Sequence, residues 1–139
     1  MRYLIDTNIF VYMMVEPDRL NRDVDALLQD YDNQLYISIE SVKELVVAYR
    51  NKGLWGNAWH SEEDMVRDII NSNIFIIPLK PEHILTYAKM QINIAQGHKD
   101  PSDHIIIAQA ITEKIPLISS DTRFEFYRKQ GLDFIYNKK

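Results

Sequence analysis

The apolar residues of this 139-residue chain fall into two alternating patterns, and that alternation constrains the fold more than any other feature. Short runs of β-branched, aromatic and leucine residues lie at 2–5, 35–37, 74–77, 117–119 and 134–136. Longer stretches between them repeat their apolar residues at the helical period. Strands this short with little polar character have no face to give to water. They need cover on both sides, and helices between successive strands supply it. The pattern therefore predicts an α/β fold, three-layered α/β/α and doubly wound, around a central parallel sheet. The length is one domain's worth, spanning 1–139, and such a chain buries roughly two-thirds of its unfolded surface.

The helical segments carry their own start and stop signals. A short helix is predicted over 8–14. A longer one is predicted over 18–31, with the stripe Leu20, Val24, Leu27, Leu28 and Tyr31. Ser38 suits the N-cap of a helix whose stripe is Val42, Leu45, Val46 and Tyr49, ending in a loop at Gly53 and Gly56. Ser61, with Asp64 three residues on, resembles a capping box opening a helix to about residue 70. Pro81 opens a helix to about residue 96, which Gly97 ends. Asp100-Pro101 opens another, with Ile106, Ile107, Ala110 and Ile111 as its stripe. A short helix follows over 122–130.

Several function classes drop out on composition. Cysteine is absent, which excludes disulfides, thiolate metal sites and a cysteine nucleophile. No apolar run approaches the ~18–20 residues of a membrane span. Asp6 interrupts the N-terminus before a signal-peptide apolar region forms, so a soluble cytoplasmic protein is expected. Neither G-x-x-x-x-G-K-[ST] nor G-x-G-x-x-G occurs. An aspartyl-nucleophile phosphatase would want a second Asp two residues after the first, where this chain has Asn8. With 16 basic and 20 acidic residues the net charge is −4. Gathering four acids in one site would leave the remainder balanced.

The acids fall at telling places. Asp6 directly follows the first strand and Asp121 the fourth, both at the carboxyl edge where α/β sheets bind ligands. Asp103 shares a helix face with Ile106 and Ile107, which directs it toward the protein. Asp100 stands just before that helix. Each has a plain structural reading as well: Asp6, Asp100 and Asp121 suit helix N-caps, and Asp103 suits a first turn. Converging carboxylates repel unless a cation intervenes, and oxygen ligands favour Mg²⁺ or Mn²⁺. Glu44 lies opposite its helix stripe, with Val47 and Ala48 flanking it, so the helix is expected to be buried on two sides. Periodicity does not choose Glu44 over Glu40, one turn earlier.

Four segments together resemble a known family. Tyr3-Leu4-Ile5-Asp6-Thr7-Asn8 resembles the opening strand and D-T-N motif of PIN-domain ribonucleases. The segment His98-Lys99-Asp100-Pro101-Ser102-Asp103-His104-Ile105-Ile106-Ile107-Ala108-Gln109-Ala110 resembles the D-P-x-D…I-A-Q-A stretch of bacterial VapC-type toxins. Pro116-Leu117-Ile118-Ser119-Ser120-Asp121 with Phe124 resembles their L-[IV]-[ST]-x-D…F ending. Glu44-Leu45 after Ser38 matches their helix-borne E-L. The resemblance covers almost the whole chain, in the same order and at the same separations.

The resemblance implies a PIN-like domain and a metal-dependent endoribonuclease leaving 5′-phosphate and 3′-hydroxyl ends. It places the family's catalytic and metal-holding acids on Asp6, Glu44, Asp103 and Asp121. It assigns ligand-orienting roles to Thr7, Asn8, Asp100 and Ser119, and leaves Glu40 as the fallback for Glu44. It further implies Mg²⁺ or Mn²⁺, an RNA substrate, a cognate antitoxin protein that places an Arg or other group in the acidic site, and a homodimer. Two departures stand out: Ser102 where relatives carry a bulky residue, and His104 where they often carry Arg. Candidate RNA contacts are His98, Lys99, Arg50, Lys52, Arg123, Arg128, Lys129, Lys138 and Lys139. His104 is expected at the surface. Trp55 and Trp59 suit either core or an exposed protein contact. The rival reading is a catalytically inactive PIN-like scaffold that binds RNA or protein.

Overall fold

A computed structural model describes residues 1–52 and 58–138. Five strands, β1 (Arg2–Ile5), β2 (Gln34–Ser38), β3 (Ile74–Ile77), β4 (Leu117–Ser119) and β5 (Phe134–Tyr136), lie where the apolar runs predict them. They form one all-parallel sheet in the order β3-β2-β1-β4-β5. In register, Ile5 pairs with Ile37 on one side and Ile118 on the other. The chain winds outward from β1 in one direction through β2 and β3, then returns to place β4 at β1's other edge. β1 and β4 thus flank the topological switch point, the place where open α/β sheets form a crevice.

Alternation along the strands divides the core into two layers. Tyr3 and Ile5 face α1 (Thr7–Val15), α3 (Ile39–Lys52) and α4 (Glu62–Ile70), packing with Ile9, Phe10, Leu45, Met65, Ile69 and Ile118. Leu4 and Leu117 face the other way, onto Ile106, Ile107 and Ala110 of α6 (Pro101–Glu113) and onto Phe124, Tyr127 and Phe134. Both sheet faces are therefore covered, and the three-layer expectation holds. Trp59 belongs to the core, 6% exposed and stacked on Phe10 at 6.1 Å between ring centroids. Gly53, Trp55, Gly56, the Lys52 side chain and Lys139 lie outside the described residues. Among the described residues no helix is long and apolar enough to cross a membrane.

Three helical expectations need correction. The segment 18–31 is not one helix. A 3-10 turn at Pro17–Arg19 precedes α2 (Arg22–Gln29), and Tyr31 is fully exposed. Asn21 makes the break: its side chain accepts from the Val24 N–H, while its own N–H goes to Asn137 Oδ1, 116 residues away. The helix opened by Pro81 ends early, as α5 (Pro81–Lys89). Beyond it, the Gln130 side-chain amide accepts from the Gln91 N–H and donates to the Gln91 carbonyl, and the Asn93 N–H donates to the Tyr127 hydroxyl. These long-range bonds satisfy backbone groups that a continuing helix would need. The short helix expected over 122–130 is present with those bounds, in 3-10 form. Finally, α3 is not buried on two sides: Val47 is half exposed.

Candidate metal centre at the sheet edge

Four segments deliver the predicted acids to one 720 Å³ cavity at the carboxyl ends of β1 and β4. Asp6 ends β1 and caps α1, Glu44 comes from the middle of α3, Asp100 and Asp103 come from the start of α6, and Asp121 follows β4. The capping readings hold as well as the placement in the cavity. Asp6 accepts from the Thr7 N–H at 2.8 Å, Asp100 from Ser102 at 3.0 Å and Asp121 from Arg123 at 2.9 Å. A cap uses one carboxylate oxygen, or one lone pair of it, so capping and facing a cavity are compatible roles.

Asp6 is 4% exposed, and its second oxygen accepts from the Ser119 hydroxyl at 2.8 Å. Thr7 contacts Glu44 at 2.7 Å and Ser41 at 2.8 Å. A carboxylate only accepts, so the one hydroxyl proton of Thr7 goes to Glu44, and Ser41 donates to Thr7. Thr7 and Ser119 thus hold the Glu44 and Asp6 carboxylates by hydrogen bonds. Asn8 is exposed and lines the cavity. Glu44, Asp100 and Asp103 can present oxygens within 4.8 Å of one another, and so can Asp103, Asp121 and a nitrogen of His98. Asp6 belongs to neither trio and forms the buried side of the cavity. Glu40 turns away from it, held by Ser102 at 3.1 Å and by Lys43.

The charges are poorly compensated. Burial, and then the charge of Asp103, push the Asp6 carboxyl up to about 7 against the hydrogen bonds of Ser119 and Thr7. Burial likewise pushes Glu44 up to about 7, with Asp100, Asp103 and Glu40 adding to it against the Thr7 bond. Asp121 behaves oppositely. Burial raises it, but hydrogen bonds from the Arg123 side chain and backbone and the guanidinium charge outweigh that and leave it lowered. Arg123 grips both Asp121 oxygens, with contacts of 2.8–3.2 Å. Among the described residues, Asp6, Glu44 and Asp100 have no Lys or Arg at ion-pair distance. An oxygen-rich donor set with that much residual negative charge fits a hard divalent cation.

The predicted cations and histidines fare less well. His98, a candidate RNA contact, is fully buried, and His104, expected at the surface, is 4% exposed. His104 Nε2 donates to the His98 carbonyl at 2.9 Å. Arg128 pairs with Glu125 and lies over Phe134, and Arg50 lies 3.4 Å from Glu62. Of the candidate RNA contacts among the described residues, only Arg123 lines the cavity. Arg19 lines it too, reaching over the Tyr12 ring and pairing with Glu16 at 2.7 Å. The sequence reading missed it because Arg19 lies in a segment read as the start of a helix. Pro17 marks the 3-10 turn that carries it.

Residues 3–130 match the family described as PIN domain. No curated protein is significantly similar in sequence. Among solved structures, VapBC2 from Rickettsia felis, bound to a DNA fragment from its promoter, superposes with a TM-score of 0.71 at 23% identity, over 99% of each chain. VapBC-1 from nontypeable Haemophilus influenzae gives 0.67 at 21% identity, over 98% of each chain. FitAcB from Neisseria gonorrhoeae gives 0.66 at 22% identity, over 98% of this chain and 97% of that one.

Proposed function

The chain belongs to the PIN domain family, and from that premise we propose that it is a metal-dependent endoribonuclease, the toxin of a toxin–antitoxin pair. The observation that carries this reading is the cavity at the switch point, where acids from four segments meet with two carboxyls pushed up to about 7. In the proposal Asp6, Glu44, Asp103 and Asp121 hold Mg²⁺ or Mn²⁺, with Asp100 assisting. Such an ion, when bound, supplies an acidified water and stabilises charge on phosphoryl oxygens.

The chain's own groups prepare that chemistry. The Thr7 hydroxyl turns the Glu44 carboxylate toward Asp100 and Asp103, and the Ser119 hydroxyl fixes Asp6. Arg19 and the exposed Lys99 offer positive charge to a phosphate backbone entering the cavity, which makes RNA binding salt-sensitive. An antitoxin partner is supported by the likeness to VapBC and FitAcB structures. Its natural complement to the acids is a guanidinium. A homodimer, a single domain spanning 1–139 and a cytoplasmic setting complete the reading.

The test incubates antitoxin-free protein with a mixed RNA pool in Mg²⁺, Mn²⁺ or EDTA, beside Asp6→Asn, and sequences the cut ends. Discrete cuts that need both metal and Asp6 are expected. Cutting unaffected by EDTA or by Asp6→Asn overturns the assignment. Folded protein that cuts nothing and takes up no metal favours the scaffold.

A further inference from the structure

Beside Asp103 lies a buried polar chain that the four-acid reading does not use. His98 Nε2 is 3.1 Å from Asp103 Oδ2, and His98 Nδ1 is 2.8 Å from the Tyr127 hydroxyl. The Tyr127 oxygen also accepts from the Asn93 N–H at 3.1 Å. Tyrosine has one hydroxyl proton, and the Asn93 N–H already occupies the oxygen as an acceptor. The proton therefore goes to His98 Nδ1. An imidazole that accepts at Nδ1 carries its hydrogen on Nε2, aimed at Asp103.

Everything around His98 keeps it there. Gly97 before it adopts φ +68°, left-handed backbone that side-chain-bearing residues rarely adopt. The His98 N–H donates to the Asn93 carbonyl at 3.1 Å, and its carbonyl accepts from His104. Phe124 packs on the ring at 5.4 Å, and His104 meets it edge-on at 4.8 Å. This is more constraint than a space-filling histidine needs, and it ends on one oxygen of one acid.

We propose that His98 is a positioning residue of the metal centre, its Nε2–H orienting the Asp103 carboxylate while Tyr127 sets the imidazole tautomer. The proposal rests on the nuclease reading above. With its Oδ2 held by His98, the Asp103 carboxylate is fixed in the cavity that it shares with Glu44 and Asp121. Hydrogen-bonded partners of ligating groups commonly change metal affinity or activity by about 10- to 100-fold when removed. The burial of His104 has the same explanation: its Nε2 holds the His98 backbone carbonyl.

The test uses the full chain and Mn²⁺ alone as the probe. Mn²⁺ affinity, RNA-cleavage kcat and KM, thermal melting and ¹⁵N-resolved NMR of His98 are measured for wild type, His98→Leu, His98→Gln and Tyr127→Phe. In wild type the NMR should report the Nε2–H tautomer, and Tyr127→Phe should disturb it. His98→Leu should weaken Mn²⁺ binding about 10- to 100-fold and lower kcat with little change in KM. Glutamine carries an N–H at similar reach, so His98→Gln should recover most of that loss. Three results overturn the proposal: an Nδ1–H tautomer in wild type, unchanged Mn²⁺ affinity in folded His98→Leu, or a His98→Gln as weak as His98→Leu. The last would make the imidazole itself a metal ligand. If His98→Leu does not fold, His98→Gln and Tyr127→Phe still decide. A wild type that takes up no Mn²⁺ and cuts no RNA overturns the nuclease reading and this one with it; a metal-binding wild type beside an unaffected His98→Leu overturns this one alone.

Discussion

Replacing Asp6 by Asn should make the metal-free protein more stable, although Asp6 is the most buried acid of the site. Its folded carboxyl is pushed from 3.8 up to about 7, chiefly by burial. A raised folded value means the folded state holds a proton that the unfolded chain releases. The penalty is therefore complete above pH 7, shrinks as pH falls below that, and is gone near pH 4. At 1.36 kcal/mol for each tenfold change in acidity, the full penalty is about 4 kcal/mol. Glu44 titrates in the same range and shares part of it, so about 2–4 kcal/mol is the expected gain for Asp6→Asn at pH 8. Asparagine keeps an oxygen and a nitrogen where Thr7 and Ser119 bond. For a chain this size the gain is a rise in Tm of about 10 °C. Thermal melts in EDTA at pH 8 and pH 4 should show the variant melting higher at pH 8 and level with wild type at pH 4. Added Mn²⁺ should stabilise wild type, by about 2.7 kcal/mol at a hundredfold excess over Kd, and leave the variant nearly unchanged. A folded variant that melts at or below wild type at pH 8 without metal would refute the claim that the site stores uncompensated negative charge.

Other perturbations read other parts of the arrangement. Thr7→Val removes the hydroxyl that holds Glu44, and metal titration should show about a tenfold loss in affinity with little change in Tm. Arg123→Ala should lower stability at pH 7 by about 0.5–1 kcal/mol, since the pair is partly exposed. Because Asp121 is lowered in the fold, that difference should shrink as the pH falls through and below the ordinary carboxylate range. Trp59→Ala should destabilise the chain by about 3–5 kcal/mol in denaturant melts while leaving Mn²⁺ affinity intact at temperatures where it is folded, because Trp59 packs on Phe10 away from the acids.

The local chemistry of the chain was enough for the sheet and for most of the site. Five apolar runs could only be strands covered on both faces, and all five are where they were read. Asp6 and Asp121 were legible because a residue directly after a parallel strand must emerge at its carboxyl edge. Asp103 was legible because its spacing to Ile106 and Ile107 puts it on the inward face of α6. Glu44 was not legible from periodicity, since its place in the cavity depends on Thr7, 37 residues earlier, reaching its carboxylate.

What the tertiary structure alone decided is where polar groups found distant partners. The helix read over 18–31 broke because Asn137 took the Asn21 N–H, and the one opened at Pro81 stopped before Tyr127 took the Asn93 N–H. His98 was read as an RNA contact and His104 as a surface group, because a histidine without metal-ligand spacing gives no local sign of burial. They are buried because Tyr127, Asp103 and a backbone carbonyl satisfy their nitrogens there. Hydrophobic periodicity is a property of neighbours along the chain and can be read from them. A buried hydrogen bond between residues tens of positions apart has no local signal, because either group alone would satisfy itself as well with water.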